Sequence, residues 1–475
     1  MVHVRPPPVV SWTRPARDTA EVWRPSLVRT LDGEDEAIPL RDASFHRYTR
    51  QSTRCAVTMS LDEASFMVRT EREAAPWWEI DLGAAMYLEA IHVDLADVPV
   101  GCRVAIAAFT YATPAGDPPP PSTLHEEALA SPGAHRVSVR APALRVARHV
   151  RVTLHAPAGT TAVLDLRRCE VIAGELFAAT LAGTMRRAFA LHRDHTLFVE
   201  PAPATYGEVW SQAAALGRAL AVRLEGDPAA RTDGRIFVAV VTRNRPEWIV
   251  ADQAILARGH VSVPMAPDDG DERMRRILAL ARPGCIVCEA GDVERLAALW
   301  PAARLFVVCD APAPFEPRGG ACARLEDLIA EGRRLAPAQV PPCEVRREDE
   351  LYAVLFTSGS TGQPRGAMRT YATFHAMLAT YGAGQPARHL SFQPLSHLSE
   401  RMFLPGLLVH GATIAFSRGG AHLMEELRAF EPTVVGSVPR LFDVLHAGYQ
   451  RRLRAALAAE PDKPRAVHEA RSRRW

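Results

Sequence analysis

Hydrophobic and polar positions alternate along this chain in two different rhythms. Between residues 46 and 173 the period is two. Ile91, Val93 and Leu95 alternate with His92 and Asp94, and Val150, Val152 and Leu154 alternate with Arg151 and Thr153. That spacing predicts half-buried strands of an antiparallel sheet. Residues 112–123, with Pro118 to Pro121 in one run, predict an exposed break, and the proline-rich residues 1–45 predict a loosely ordered lead-in.

From Gly174 onward, short apolar runs alternate with stretches of helical period, the pattern of a parallel α/β sheet. Thr205-Tyr-Gly-Glu208 is a capping box opening a helix with Val209, Ala213, Leu216 and Leu220 on one face. Arg235–Thr242 predicts a strand. Asn244-Arg-Pro-Glu-Trp248 begins a helix that reaches Arg258 and stops at Gly259, with Asn244 as its cap and Trp248 in the core. His260–Pro264, Cys285–Glu289, Leu305–Cys309, Thr413–Phe416 and Thr433–Ser437 predict further strands, and Glu272–Ala281 and Val293–Trp300 further helices. Pro439 suits the first position of a helix, and Leu441–Leu457 predicts an amphipathic helix dotted with arginines.

Composition narrows the class without naming a chemistry. The 475 residues suffice for two or three domains of ordinary size. A hydrophobic share of 48% with 23% charged residues fits a globular protein, and a net charge of +2 gives no argument for nucleic acid. No apolar run approaches the ~20 residues of a membrane span, and the N-terminus lacks an apolar leader, so the expected location is cytoplasmic. Eight scattered cysteines do not form a disulfide framework. Cys285 and Cys288 make a C-x-x-C inside an apolar run with no second pair at metal spacing, which predicts core packing rather than zinc.

The chemistry gathers at residues 351–366. An apolar run from Leu351 to Phe356 has the composition of a strand buried on both faces. It breaks into Thr357-Ser358-Gly359-Ser360-Thr361-Gly362, whose glycines let the backbone approach a ligand and whose hydroxyls and N–H groups are donors for phosphate oxygens. Pro364 ends the loop, Arg365 adds a cation suited to phosphate, and Gly366 leads into a helical stretch, Ala367–Leu378. No Lys-Ser/Thr pair follows at Walker A spacing, so this is a different phosphate loop. A second candidate is His397, in Ser391-Phe-Gln-Pro-Leu-Ser-His-Leu-Ser-Glu-Arg-Met402. A lone histidine is more often a satisfied core or capping residue, but this one follows a proline-broken strand. Glu400 and Arg401 are adjacent, point in different directions on a helix and need not pair.

The 351–366 stretch resembles the phosphate-binding motif of the AMP-forming adenylate synthetases, the superfamily of acyl-CoA synthetases, luciferases and peptide-synthetase adenylation domains. Arg365 stands where that family usually has Lys. The Asn244–Trp248 and Val261–Pro264 segments resemble the opening of the acyl-CoA synthetase large domain, and Ser391–Met402 and Val434–Phe442 resemble its long-chain fatty-acid branch. The resemblance covers roughly residues 175–460. It implies a fold with a partial α/β parallel-sheet adenylate-forming domain over 174–475. It implies activation of a carboxylic acid, long-chain fatty acids foremost, with ATP, Mg²⁺ and CoA. Thr357, Ser358, Gly359, Ser360, Thr361, Gly362 and Arg365 would hold the ATP phosphates, and His397 would border the acyl and adenylate pocket.

The family's later motifs, among them Tyr-Gly-x-Thr-Glu and a C-terminal lysine domain, do not follow Pro439. A non-catalytic nucleotide- or ligand-binding protein is therefore the alternative expectation, and no metal-holding acid is identified. Upstream, Trp77-Trp78-Glu79-Ile80-Asp81-Leu82-Gly83 and its neighbouring strands resemble the discoidin (coagulation-factor C-type) jelly roll, which implies an all-β sandwich over 46–173. Such domains bind glycans or lipids through loops at one end. Trp77 and Trp78 themselves are expected to pack in the core.

Overall fold

The computed structural model describes residues 26–29, 35–38, 40–42, 48–51, 68–109, 122–175, 177–178, 180–312, 322–343, 346–358, 363–378, 387–437 and 439–459. The N-terminal part is a sheet in which every described pairing is antiparallel. Two long strands, Trp77–Val98 and Gly133–His155, form its spine, flanked by Asp165–Glu175 and Arg103–Phe109. The two-residue period sets the core: Ile91, Val93, Leu95, Val150, Val152 and Leu154 are all buried together. Trp78 joins them, while Trp77 lies half-buried under the Arg151 guanidinium, 4.5 Å from its ring centre.

The lead-in differs from expectation. Ser26–Arg29 and Asp35–Ile38 pair antiparallel, and Leu40–Asp42 pairs with residues 172–174 of the spine's neighbour. Unpaired edge groups of that neighbour supply a template that weak hydrophobic patterning does not reveal. Other lead-in residues, the proline run at 118–121 and the tail from 460 lie outside the described residues.

The C-terminal part opens with helices α1 (Leu181–Leu191) and α2 (Tyr206–Leu224). The α2 capping box forms as its sequence predicts: Glu208 N–H donates to Thr205 Oγ1 at 3.2 Å and Thr205 N–H to Glu208 Oε2 at 2.8 Å. Then follow β1 (Arg235–Val241), α3 (Pro246–Arg258), β2 (Val261–Met265), α4 (Asp271–Ala281), β3 (Cys285–Cys288), α5 (Val293–Leu299) and β4 (Leu305–Val308). Next come β5 (Cys322–Arg324), α6 (Leu325–Arg334), β6 (Leu351–Ser358), β7 (Pro364–Thr370) and α7 (Tyr371–Leu378). The chain continues through β8 (Arg388–Ser391), α8 (Leu398–Val409), β9 (Thr413–Phe416), α9 (Leu423–Phe430) and α10 (Pro439–Ala459). Gly259 ends α3 at φ +67°, a left-handed turn that glycine adopts without strain.

The main sheet runs β5-β4-β3-β1-β2-β6-β7, parallel except for β7. Residues of β1 divide between two cores: Val238 and Val240 face α2 and α3, whereas Phe237, Ala239 and Val241 face α4 and α5. Each of the fully buried valines among them contributes ~1.5–3 kcal/mol. Cys285 and Cys288 divide the same way and are free; burial pushes the Cys285 thiol up to about 12, which keeps it protonated. A second small sheet joins β8 and β9 to Thr196–Phe198. Thr433–Ser437, expected as a strand, makes only one bridge, Val434 to His389. No described helix is long and apolar enough to cross a membrane.

Candidate functional site

The stretch expected to bind phosphate leaves the carboxyl end of β6, which lies parallel beside β2 with Ser262 opposite Ala353. In open α/β sheets ligands bind outside that end of the strands. The chain then returns as β7 rather than entering a helix at Ala367; the helix begins at Tyr371. Ala367 and Met368 favour helix in isolation, but β6 offers an unpaired edge, and register pairs Phe356–Gly366, Thr357–Arg365 and Ser358–Pro364 fill it. Gly366 is required here, because a Cβ would stand 2.7 Å from Val354 Cγ1. Thr357 thus sits directly across from Arg365, whose side chain is exposed, and Ser358 and Pro364 close the neck of the loop. Gly359, Ser360, Thr361 and Gly362 lie outside the described residues.

One cation escaped the sequence reading. Arg273 on α4 donates from Nη2 to the Phe356 carbonyl at 3.4 Å and from Nε to Asp269 at 3.0 Å, so a second guanidinium stands beside the strand just before Thr357.

His397 lies at the start of α8, exposed, and its side chain makes no capping bond. No described hydrogen bond, ion pair or ring contact joins it to Thr357, Ser358 or Arg365. The turn that carries it is held from below by Asn244. Expected as a helix cap, Asn244 instead donates from Nδ2 to Ser391 Oγ at 2.9 Å and to the Gln393 carbonyl at 2.7 Å, and its Oδ1 accepts from Leu395 N–H at 3.0 Å. Arg245 takes the N-cap position of α3. Pro246, with no N–H to cap, follows at the first turn.

Two buried polar clusters that the sequence reading missed lie beneath this turn, one closed within residues 389–400 and the other between partners 49 and 149 positions apart. Glu400 accepts from Ser391 Oγ at 2.6 Å and from His389 Nε2 at 2.9 Å. Arg401, fully buried, donates from Nη2 to Asp252 Oδ1 at 2.6 Å and to the Tyr352 hydroxyl at 2.7 Å. Its guanidinium lies 4.8 to 5.2 Å from the ring centres of Phe374, Trp248 and Tyr352. Burial pushes the Asp252 carboxyl up against the pull of Arg401. For Arg401, burial opposes the charge, but Asp252 and Tyr352 outweigh it and hold the guanidinium charged. The adjacent Glu400 and Arg401 do point apart, as their spacing predicts. Among the described residues, no three His, Cys, Asp or Glu side chains come together as ligands for a metal ion.

Comparison with known proteins shows what this part of the chain is similar to. Residues 185–473 match the family model described as AMP-binding enzyme. Similar curated proteins include the peroxisomal long chain acyl-CoA synthetase 6 of Arabidopsis thaliana, 30% identical over 259 residues that make up 51% of this chain and 35% of that protein. The long-chain-fatty-acid–CoA ligase 6 of Rattus norvegicus is 32% identical over 270 residues, 51% of this chain and 36% of that protein. The chain thus spans about a third of the length of these relatives. Among solved structures, the adenylation domain of a carboxylate reductase from Mycobacterium chelonae superposes with a TM-score of 0.52 at 23% identity, covering 62% of this chain and 51% of that one. That likeness concerns the fold.

Proposed function

The chain belongs to the AMP-binding enzyme family, and from that premise we propose that it takes part in ATP-dependent activation of a long-chain fatty acid and its transfer to CoA. The carboxylate attacks the α-phosphorus of ATP, forming acyl-AMP and releasing pyrophosphate. The thiolate of CoA then attacks the acyl carbonyl and AMP leaves, giving the thioester. Such chemistry depends on positioning and charge stabilisation more than on covalent help from the protein.

The observation that carries this reading is the hairpin neck at the carboxyl end of β6. Thr357 and Arg365 face each other there, at the mouth of a loop of hydroxyl and glycine residues. In this reading Thr357, Ser358, Gly359, Ser360, Thr361 and Gly362 wrap the β- and γ-phosphates, and Arg365 supplies the cation. His397, exposed at the start of α8, borders the acid. Mg²⁺ would come in with the nucleotide phosphates, the usual habit of that ion. A cytoplasmic location belongs to the same proposal, as does a division near residue 174 into an accessory β-module of discoidin type and the adenylate-forming part. The β-module would hold a glycan or lipid.

Calorimetric titration with ATP tests the nucleotide half of the reading. Binding that weakens on Ser358→Ala and Thr361→Ala supports it; binding indifferent to both changes contradicts it.

A further inference from the structure

Three segments far apart in the chain meet beneath the His397 turn, and two adjacent side chains of α8 join them. Arg401 reaches Tyr352, at the base of the strand that ends in Thr357 and Ser358, and Asp252 on α3. Glu400 reaches His389 and Ser391 on β8, and Ser391 accepts from Asn244, which itself grips Gln393 and Leu395. His389 also stacks edge-on against Phe403, and its Nδ1 lies 3.4 Å from the Val434 carbonyl. The helix that begins just after His397 is therefore fastened by Arg401 to β6 and by Glu400 to the strand leading into its own turn.

The Arg401 arrangement is not what stability alone selects. A buried ion pair is often matched or bettered by apolar residues of similar volume. Here a fully buried guanidinium leaves its Nε and Nη1 without hydrogen-bond partners and spends Nη2 on two acceptors that belong to different elements. Three aromatic faces restrict the guanidinium to that orientation. A directional contact between elements is gained at the expense of unsatisfied donors.

We propose that Arg401 and Glu400 are positioning residues that set the His397 turn at a fixed distance and angle from the phosphate-loop strand. Its consequence for rate rests on the acid-activation reading above; its consequence for the turn does not. Both side chains are buried. Arg401 acts through Tyr352 and Asp252, and Glu400 through Ser391.

The test is a charge-free pair, Arg401→Met with Asp252→Asn, which removes the ion pair without stranding either charge. Amide hydrogen exchange, thermal midpoint and fatty-acid-dependent pyrophosphate release are measured on the full chain. Positioning predicts a midpoint close to the parent's, with exchange at residues 393–398 accelerated on the order of tenfold as local opening becomes easier. It also predicts a fall of roughly a hundredfold in kcat, the scale of an ångström's misplacement, with KM for ATP little changed. Tyr352→Phe, which removes only the bridging hydroxyl, moves the same readouts in the same direction by less, and decides the matter if the double variant does not fold. Parent-like exchange at residues 393–398 in the variants that fold overturns the proposal. A parent chain that releases no pyrophosphate counts against the acid-activation reading, and the exchange rates still decide the positioning.

Discussion

Asn244 donates to Ser391 Oγ across 2.9 Å, although 147 positions separate them. The contact joins the loop after β1 to the last residue of β8, and the same amide satisfies both a carbonyl and an N–H of the following turn. Asn244→Ala removes all three bonds and leaves Leu395 N–H and the Gln393 carbonyl to find other partners. We expect a loss of about 2–3 kcal/mol, read as a lower urea midpoint with an unchanged slope.

The Arg365 side chain is exposed and makes no described hydrogen bond or ion pair, so its proposed role and its stability effect separate. Arg365→Ala should leave the melting temperature unchanged and weaken ATP binding roughly tenfold or more, the worth of a charge-assisted hydrogen bond. Arg365→Lys keeps the charge and should retain most of the affinity. A titration with ATP compares the three proteins.

Gly366 lies opposite Phe356 with no room for a side chain. Gly366→Ala sets a methyl against Val354 and the Phe356 ring, costing about 1–3 kcal/mol by overpacking. The strain falls on the β6–β7 hairpin neck, so on the proposed phosphate-binding reading ATP affinity should fall along with the melting temperature. An Ala at Gly291, where a Cβ meets nothing within 4 Å, is the control and should change neither.

Acid sensitivity has an identifiable source. His192 is buried between α1 and α8, with Nε2 donating to the Val409 carbonyl. Burial, aided by the neighbouring His195 and His410, lowers its pKa from 6.5 to about 3. The folded chain thus keeps it neutral where the unfolded chain protonates it. Its contribution is fully present above pH 6.5 and is lost as pH falls toward 3, amounting to about 2 kcal/mol by pH 5. His192→Gln, which keeps a donor for Val409, should flatten the dependence of the urea midpoint between pH 7 and 5 by one proton's worth.

The parallel α/β pattern was legible because each element carries its own signal: a capping box at Thr205, a proline at Pro246, a glycine stop at Gly259, apolar runs at β1, β3 and β4. The strand from Leu351 was legible for the same reason, since its apolar residues are contiguous. What the sequence hid is non-local. Nothing near Ala367 announces that β6 needs a partner, so a strand formed where helical propensity pointed to a helix. Asp252 and Arg401 stand 149 positions apart with nothing in either segment to link them; only the fold, which brings them within 2.6 Å, makes them a buried pair. Asn244 has the residue type and place of a cap, and only the neighbouring β8 turn explains why it bonds elsewhere.

The most direct test of the account is ATP-dependent pyrophosphate release by the purified chain, with Mg²⁺ and a series of fatty acids of increasing length. Release that requires the acid, rises toward long chains and disappears with Ser358→Ala and Thr361→Ala is the predicted result. A folded chain that binds ATP yet releases no pyrophosphate with any acid would contradict it.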